Sequence, residues 1–509
     1  MNYNLPNKKH LVFVDLAIDS FYYAVNLGVA ALIPIAKNCG FKVSLIYLNK
    51  KISAKEFKDQ IKRLNPDLVG FSLMWPQINH LINYSQAIAD LPGILKICGG
   101  PGASLAPETV LNKAAIDGVT IGEGEIPLTN LLKKINQHQD VSDLAGFYWK
   151  INGQIKKNPP SAFITDLSTL PFPDYSLYPR SLIIQYEGKN ISAKLTRGCP
   201  FACTYCSNKE LSQLYPPGQH FFRLPPIDYA INLLKNLIRQ YPQAGQINFA
   251  DETLTANKEW FKNFLRAYAQ NIKLPYTLMT RMDTLDSETI KLMKTTGCFY
   301  IWVGLESGNE SFRKQLLGRH YSNQQFIANA KLVKQAGIQI YTFNMFALPF
   351  ETAEQMAQTV QLNKDIRADR GQCSFYYPFP GTQMYELCKK NNLLLEQDSI
   401  LNLTNYNSQP AIKLVNTTKE QCLHYQGQLV NYFANQEANP YFRMDWYRAY
   451  EEDGSLKTSL RLSLFYSWAK IKYAVKMTAL IIDRQIGKVG IFLKKNYPTI
   501  YQRLKKTND

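Results

Sequence analysis

From His10 to about Ser104, short runs of β-branched and aromatic residues alternate with stretches whose apolar positions recur at helical spacing. The runs are HLVFVDL at 10–16, KVSLIYL at 42–48, DLVGFSLM at 67–74 and ILKICGG at 94–100. Between them the pattern predicts helices from Val25 to Asn38, from Ala54 to Leu64 and near His80 to Leu91. Apolar strands separated by helices specify a parallel sheet covered on both faces. A stretch from about Lys157 to Pro179 is rich in proline and turn formers and marks a domain boundary. Beyond it the alternation resumes as SAKLT, QINFA, YTLMTR, FYIWVGL, IYTFNMFAL and QCSFYYPF, each followed by a helical pattern. These six strand–helix units fall two short of a complete (β/α)8 barrel and fit a partial one.

The chain therefore reads as α/β. A Rossmann-like open parallel sheet is expected over residues 1–150, a proline-rich linker over 151–185, a partial (β/α)6 TIM barrel over 186–395, and a mainly helical basic region over 396–509. Composition agrees: with 46% apolar and 12% aromatic residues over 509 positions, the chain can bury several cores and does not read as disordered. No signal peptide is recognised at the amino terminus and no run of eighteen apolar residues occurs, so a cytoplasmic location is expected. Nine cysteines without regular pairing argue for reduced thiols.

Three of those thiols carry the sharpest chemistry. The loop RGCPFACTYCSN after the first strand of the second region places Cys199, Cys203 and Cys206 at C-x3-C-x2-C spacing. One tight loop can aim three soft thiolates at a single centre, with Gly198 and Pro200 shaping the turn. Structural zinc wants four ligands, and the nearest histidine, His220, lies beyond a proline-containing segment. Three ligands on a four-iron cluster instead leave one iron open to bind something reactive. In the first region, the glycines at 99, 100 and 102 and the segment IGEGE at 121–125 sit where open sheets bind ligands, although glycines of this kind also serve simple tight turns.

The cysteine motif, at the end of the first strand of an α/β region, resembles the signature of the radical S-adenosylmethionine (SAM) superfamily. The resemblance implies a [4Fe–4S] cluster whose open iron is chelated by SAM, and reductive cleavage of SAM to a 5′-deoxyadenosyl radical. It extends to FADET at 249–253, TRMD at 280–283 and VGLESG at 303–308, which end the next three strands. Through it, Asp251 and Glu252 are implied near the methionine amino group, Arg281 near the ligand, Glu306 at the ribose and Tyr205 near the adenine. Each also has a structural reading: Asp251, Glu252 and Glu306 as helix or turn caps, Arg281 as the partner of Asp283. Pro349 and YPFPGT at 377–382 resemble later strand-end features.

An open α/β domain before such a barrel, with VNLGVAAL at 25–32, GFS at 70–72, GGPGAS at 99–104 and IGEGE, resembles the cobalamin-binding class of radical SAM proteins. That implies cobalamin, with Ser72, Gly99 and Gly100 among its contacts, and methylation of an unactivated carbon of a small organic substrate. No D-x-H-x-x-G occurs, so no axial histidine to cobalt is expected. A cobalamin-assisted cyclisation or rearrangement, as in tetrapyrrole-ring cyclases, is the alternative within enzymes; an iron–sulfur electron carrier without SAM chemistry is the alternative outside them. A flavodoxin or ferredoxin is the implied reductant.

Residues Glu451 to Asp509 hold twelve Lys or Arg against five Asp or Glu, interleaved with apolar positions. That pattern reads as basic amphipathic helix, suited to an anionic membrane surface, a packed barrel face or an acidic partner. A net charge of +18 favours an anionic partner, but no nucleic-acid-binding module is recognisable.

Overall fold

Every residue of the strand His10–Leu16 is buried, because this strand pairs on both edges and is covered on both faces. In the computed structural model, which describes residues 9–18, 24–184, 190–215, 221–396 and 409–434, it is the second strand of the first of two sheets. Calling it β1, the sheet continues with β2 (Lys42–Leu48), β3 (Leu68–Ser72), β4 (Leu95–Gly99), β5 (Gly118–Thr120), β6 (Phe147–Ile151) and β7 (Gln154–Lys157). Their spatial order is β2-β1-β3-β4-β5-β6-β7, with β1 to β5 parallel and β6 and β7 added antiparallel. The order reverses between β1 and β3, the switch point where open α/β sheets bind ligands. There the register aligns Asp15 with Ser72 and Ser72 with Gly99, placing three strand ends in one row.

The second sheet is wholly parallel and runs in chain order: β8 (Asn190–Ala193), β9 (Gln246–Phe249), β10 (Tyr276–Thr280), β11 (Cys298–Glu306), β12 (Gln339–Phe346) and β13 (Arg370–Phe375). Six strands with intervening helices make the partial barrel that the alternation predicts. Capping side chains start its helices: Asn257 accepts from Trp260 N, Asp286 from Thr289 N and Ser322 from Gln325 N. The open edge at β13 is covered by the helix Lys419–Ala434, whose Gln426 donates to the Cys373 carbonyl at 3.2 Å.

All nine cysteines are free thiols. Among the described residues, no helix is long and apolar enough to cross a membrane. The basic segment from Glu451 to Asp509 lies outside the described residues. The short strand β5, the helix Glu125–Asn136 and the β6–β7 hairpin complete the first sheet beyond the four strands its periodicity marks.

Candidate active site at the barrel mouth

The cysteine loop leaves β8 and is held by its backbone before any side chain acts. Gly198 has φ +75°, and a Cβ there would run into the Phe221 carbonyl, so the turn requires glycine. Arg197 and Arg223 exchange backbone hydrogen bonds of 3.1 and 2.9 Å, strapping the loop to the segment that follows it. On its other side the loop caps a helix. Thr204 N donates to Leu317 O at 3.3 Å and Thr204 Oγ1 to Leu316 O at 2.6 Å, satisfying carbonyls at the end of the helix Glu310–Leu317.

Cys203 is buried, while Cys199 and Cys206 are half-buried. Burial raises the Cys199 thiol and pushes Cys206 up to about 12. Among the described residues, no three His, Cys, Asp or Glu side chains converge as ligands of one ion. A cubane takes one thiolate on each of three separate irons, so three thiols on one loop are the donor set a [4Fe–4S] cluster uses, whereas structural zinc takes four ligands. His220 lies outside the described residues.

The expected SAM contacts divide by what already holds them. Asp251 is fully buried, and its Oδ1 accepts from Leu195 N at 3.0 Å, Thr196 N at 2.5 Å and Thr196 Oγ1 at 2.6 Å. It clamps the exit of β8 to the end of β9, and burial raises it to about 6. Glu252 pairs with Lys194 through Oε1, while its Oε2 is buried without a hydrogen-bond partner. Such an oxygen is a ready acceptor for a ligand's ammonium group. Tyr205 and Glu306 meet at one guanidinium: Arg319 Nη1 donates to Tyr205 Oη at 2.9 Å and to Glu306 Oε1 at 3.2 Å. Glu306 stands at φ +65°, and burial is the largest influence raising its carboxyl, against the opposing charge of Arg319. Arg281 grips Asp283 at 3.0 and 2.8 Å, and its charge also bears on Glu306.

At the mouth of the first sheet, Asn26 Nδ2 donates to both Asp15 Oδ1 and Ser72 Oγ at 3.0 Å. Beside Ser72, a Cβ on Gly99 would sit in ordinary contact with Thr120 Cβ at 3.7 Å, so packing within the protein does not demand glycine there. Gly100, at φ +100°, packs so closely that a Cβ would lie 2.9 Å from Leu73 O. The residues expected at cobalamin lie on adjacent strand ends, Ser72 aligned with Gly99, where backbone bare of side chains suits close approach of that cofactor. The segment 121–125 turns from this mouth to the barrel. Glu125 pairs with Arg197 at 2.6 Å and Glu123 with Arg223, while Tyr215 Oη accepts from Glu123 N at 2.9 Å.

Arg319, Lys194, Arg197, Arg223 and the two glutamates of IGEGE carry much of this site, yet sequence reasoning assigned them no role. For Arg319 a local signal existed: Gly318, at φ +65°, ends the preceding helix and turns the next side chain inward.

A flavodoxin-ordered sheet joined to a six-stranded parallel partial barrel, with a three-cysteine loop at that barrel's first strand, is the architecture expected of enzymes that use SAM and cobalamin together. The chain belongs to the cobalamin-binding class of radical SAM enzymes: the Radical SAM superfamily matches residues 193–362 and the B12 binding domain matches residues 14–132. Its cofactors are accordingly a [4Fe–4S] cluster, SAM and cobalamin. The chain is 27% identical, over 71% of its length and 77% of the relative's, to an uncharacterized methyltransferase of Pyrococcus horikoshii. It is 22% identical to the anaerobic magnesium-protoporphyrin IX monomethyl ester cyclase of Rubrivivax gelatinosus, over 67% of this chain and 61% of that one. In fold it resembles the radical SAM methyltransferase TsrM of Kitasatospora setae, solved with tryptophan and a SAM analogue, at TM-score 0.62 and 16% identity over 75% of this chain and 76% of that one.

Proposed function

We propose that the protein methylates an unactivated carbon of a small organic substrate. The observation that carries this reading is the join between the two cofactor regions: Glu123 and Glu125 of the B12-type sheet are paired with Arg223 and Arg197, the residues that strap the cysteine loop. When bound, the cluster supplies the electron that splits SAM and cobalamin supplies the methyl group. Cys199, Cys203 and Cys206 would hold the cluster. Glu252, through its unpartnered oxygen, would take the SAM ammonium, and Tyr205 and Glu306, fixed by Arg319, would face the nucleoside. Asp251 would support the loop from below, and Ser72, Gly99 and Gly100 would line cobalamin. The charge of Arg319 favours the ionised form of Glu306 against the burial that opposes it.

Further parts of the reading rest on sequence alone. A low-potential flavodoxin or ferredoxin would deliver the electron in the cytoplasm, and the basic segment 451–509 would contact an anionic membrane surface peripherally. The likeness to a tetrapyrrole-ring cyclase favours a second reading, radical cyclisation or rearrangement.

The test is anaerobic reconstitution with iron and sulfide, then reduction with SAM, with and without cobalamin, followed by chromatography. Appearance of 5′-deoxyadenosine, lost in Cys203→Ala, supports radical chemistry, and added S-adenosylhomocysteine with cobalamin supports methyl transfer. 5′-Deoxyadenosine alone favours cyclisation. A loaded cluster that leaves SAM intact would make the protein an electron carrier.

A further inference from the structure

Arg281 is fixed on three sides. Its Nε and Nη2 donate to the two carboxylate oxygens of Asp283 at 3.0 and 2.8 Å, and its guanidinium lies 3.8 Å above the centroid of Phe201. The remaining nitrogen, Nη1, donates to Cys203 Sγ at 3.7 Å, a buried contact. Arginine and cysteine are each 7% exposed. A planar fork engaged bidentately on one edge and stacked on a ring cannot swing to a mobile ligand without losing both.

We infer that Arg281 is a positioning residue for the cluster rather than a SAM contact, and that it holds an N–H on the Cys203 sulfur to raise the cluster's reduction potential. This rests on the reading of Cys203 as a cluster ligand. Reduction from the 2+ to the 1+ state adds one electron, taken from a low-potential one-electron donor, and spreads negative charge over the irons and thiolates. A hydrogen bond and a positive charge beside one sulfur favour the reduced state more than the oxidised one. Asp283 offsets that charge and keeps the couple strongly reducing. The pair thus works as a setting with two opposed parts: removing the arginine leaves a carboxylate facing the cluster, and removing the carboxylate's charge leaves a guanidinium facing it.

The experiment uses the full chain reconstituted with iron and sulfide, without SAM, poised at a series of potentials, with the reduced cluster read by electron paramagnetic resonance. Arg281→Met is expected to shift the oxidised-to-reduced ratio at a fixed potential about tenfold toward oxidised, which for a one-electron couple is about 59 mV. Asp283→Asn is expected to shift it the other way, and Arg281→Lys, which keeps the charge but not the fork, to fall between wild type and Arg281→Met. If Arg281→Met fails to take up iron, the Asp283→Asn shift decides. Unchanged ratios in variants with wild-type iron and sulfide content would overturn the inference, as would Arg281→Met weakening SAM binding while leaving the ratio untouched. A wild-type chain that takes up no cluster would instead remove the reading of the cysteines on which this one rests.

Discussion

Glu123 and Arg223 form an ion pair across the join between the B12-type sheet and the barrel, with Arg223 Nη1 3.0 Å from one carboxylate oxygen, and the arginine is 6% exposed. The guanidinium also lies 3.8 Å over the Phe163 ring and donates to the Ile164 carbonyl. Removing one member of a buried pair strands the other's charge, at about 3–5 kcal/mol; the partial exposure of Glu123 puts this case near the lower end. Arg223→Met should therefore lose about 3 kcal/mol in anaerobic urea unfolding. The double variant Glu123→Gln with Arg223→Met should recover part of that loss, because no charge is left unpaired. Additive losses in the double variant would mean that the two side chains do not act as a pair.

Gly198 is the narrowest point of the cysteine loop. At φ +75° an alanine is strained by about 1 kcal/mol or more, and its Cβ would collide with the Phe221 backbone carbonyl, which cannot move without breaking the Arg197–Arg223 bridge. Gly198→Ala should retain its secondary structure by circular dichroism yet bind less than half the wild-type iron after reconstitution. Full iron uptake would show that the loop has slack this geometry does not suggest.

Legibility in the sequence followed the range of the interactions concerned. The strands β1, β3 and β4 announce themselves because they are buried along nearly their whole length and so are largely apolar, whereas β2 and β9 to β13, half-buried in part, show as short β-branched and aromatic runs between helical patterns, and β8 (Asn190–Ala193) only overlaps the SAKLT run that marks it. The cysteine loop is legible because its three ligands lie within eight residues. By contrast, β5 has only three residues, too few to show a period. Glu123 and Arg223 are 100 positions apart, and nothing local to either one names the other. The same range separates the two readings open for Asp251. Its neighbours admit a helix cap or a ligand contact, whereas three hydrogen bonds from Leu195 and Thr196, more than fifty positions away, make it a clamp between strand ends.

That clamp has a measurable consequence for the loop it supports. Asp251→Ala leaves two buried backbone N–H groups and one hydroxyl without their acceptor, at about 1–3 kcal/mol each. Asp251→Asn keeps a carbonyl oxygen in place of Oδ1. The alanine variant should unfold about 3 kcal/mol or more below wild type and bind less iron, and the asparagine variant should stay within about 1–2 kcal/mol with near-normal iron content. Equal losses in both would assign the effect to charge rather than to the accepting oxygen.

Glu351 offers a test by pH, away from the cysteines. It is 1% exposed, its Oε2 accepts from Leu348 N at 3.1 Å, and its Oε1 is buried without a partner. Burial pushes its carboxyl up from the ordinary 4.5 to about 8, against the opposing pull of the Leu348 and Ala347 N–H groups. Between those two values the native state keeps a proton that the unfolded chain has released. Stability therefore falls as pH rises through the window, by up to about 1.4 kcal/mol per pH unit and about 5 kcal/mol across it, and levels off above about 8. Glutamine cannot ionise, yet it presents the same accepting oxygen to Leu348 N. Glu351→Gln should match wild type near pH 5 and exceed it increasingly up to pH 8 in urea unfolding. Parallel stability curves for the two proteins would show that Glu351 titrates at its ordinary value.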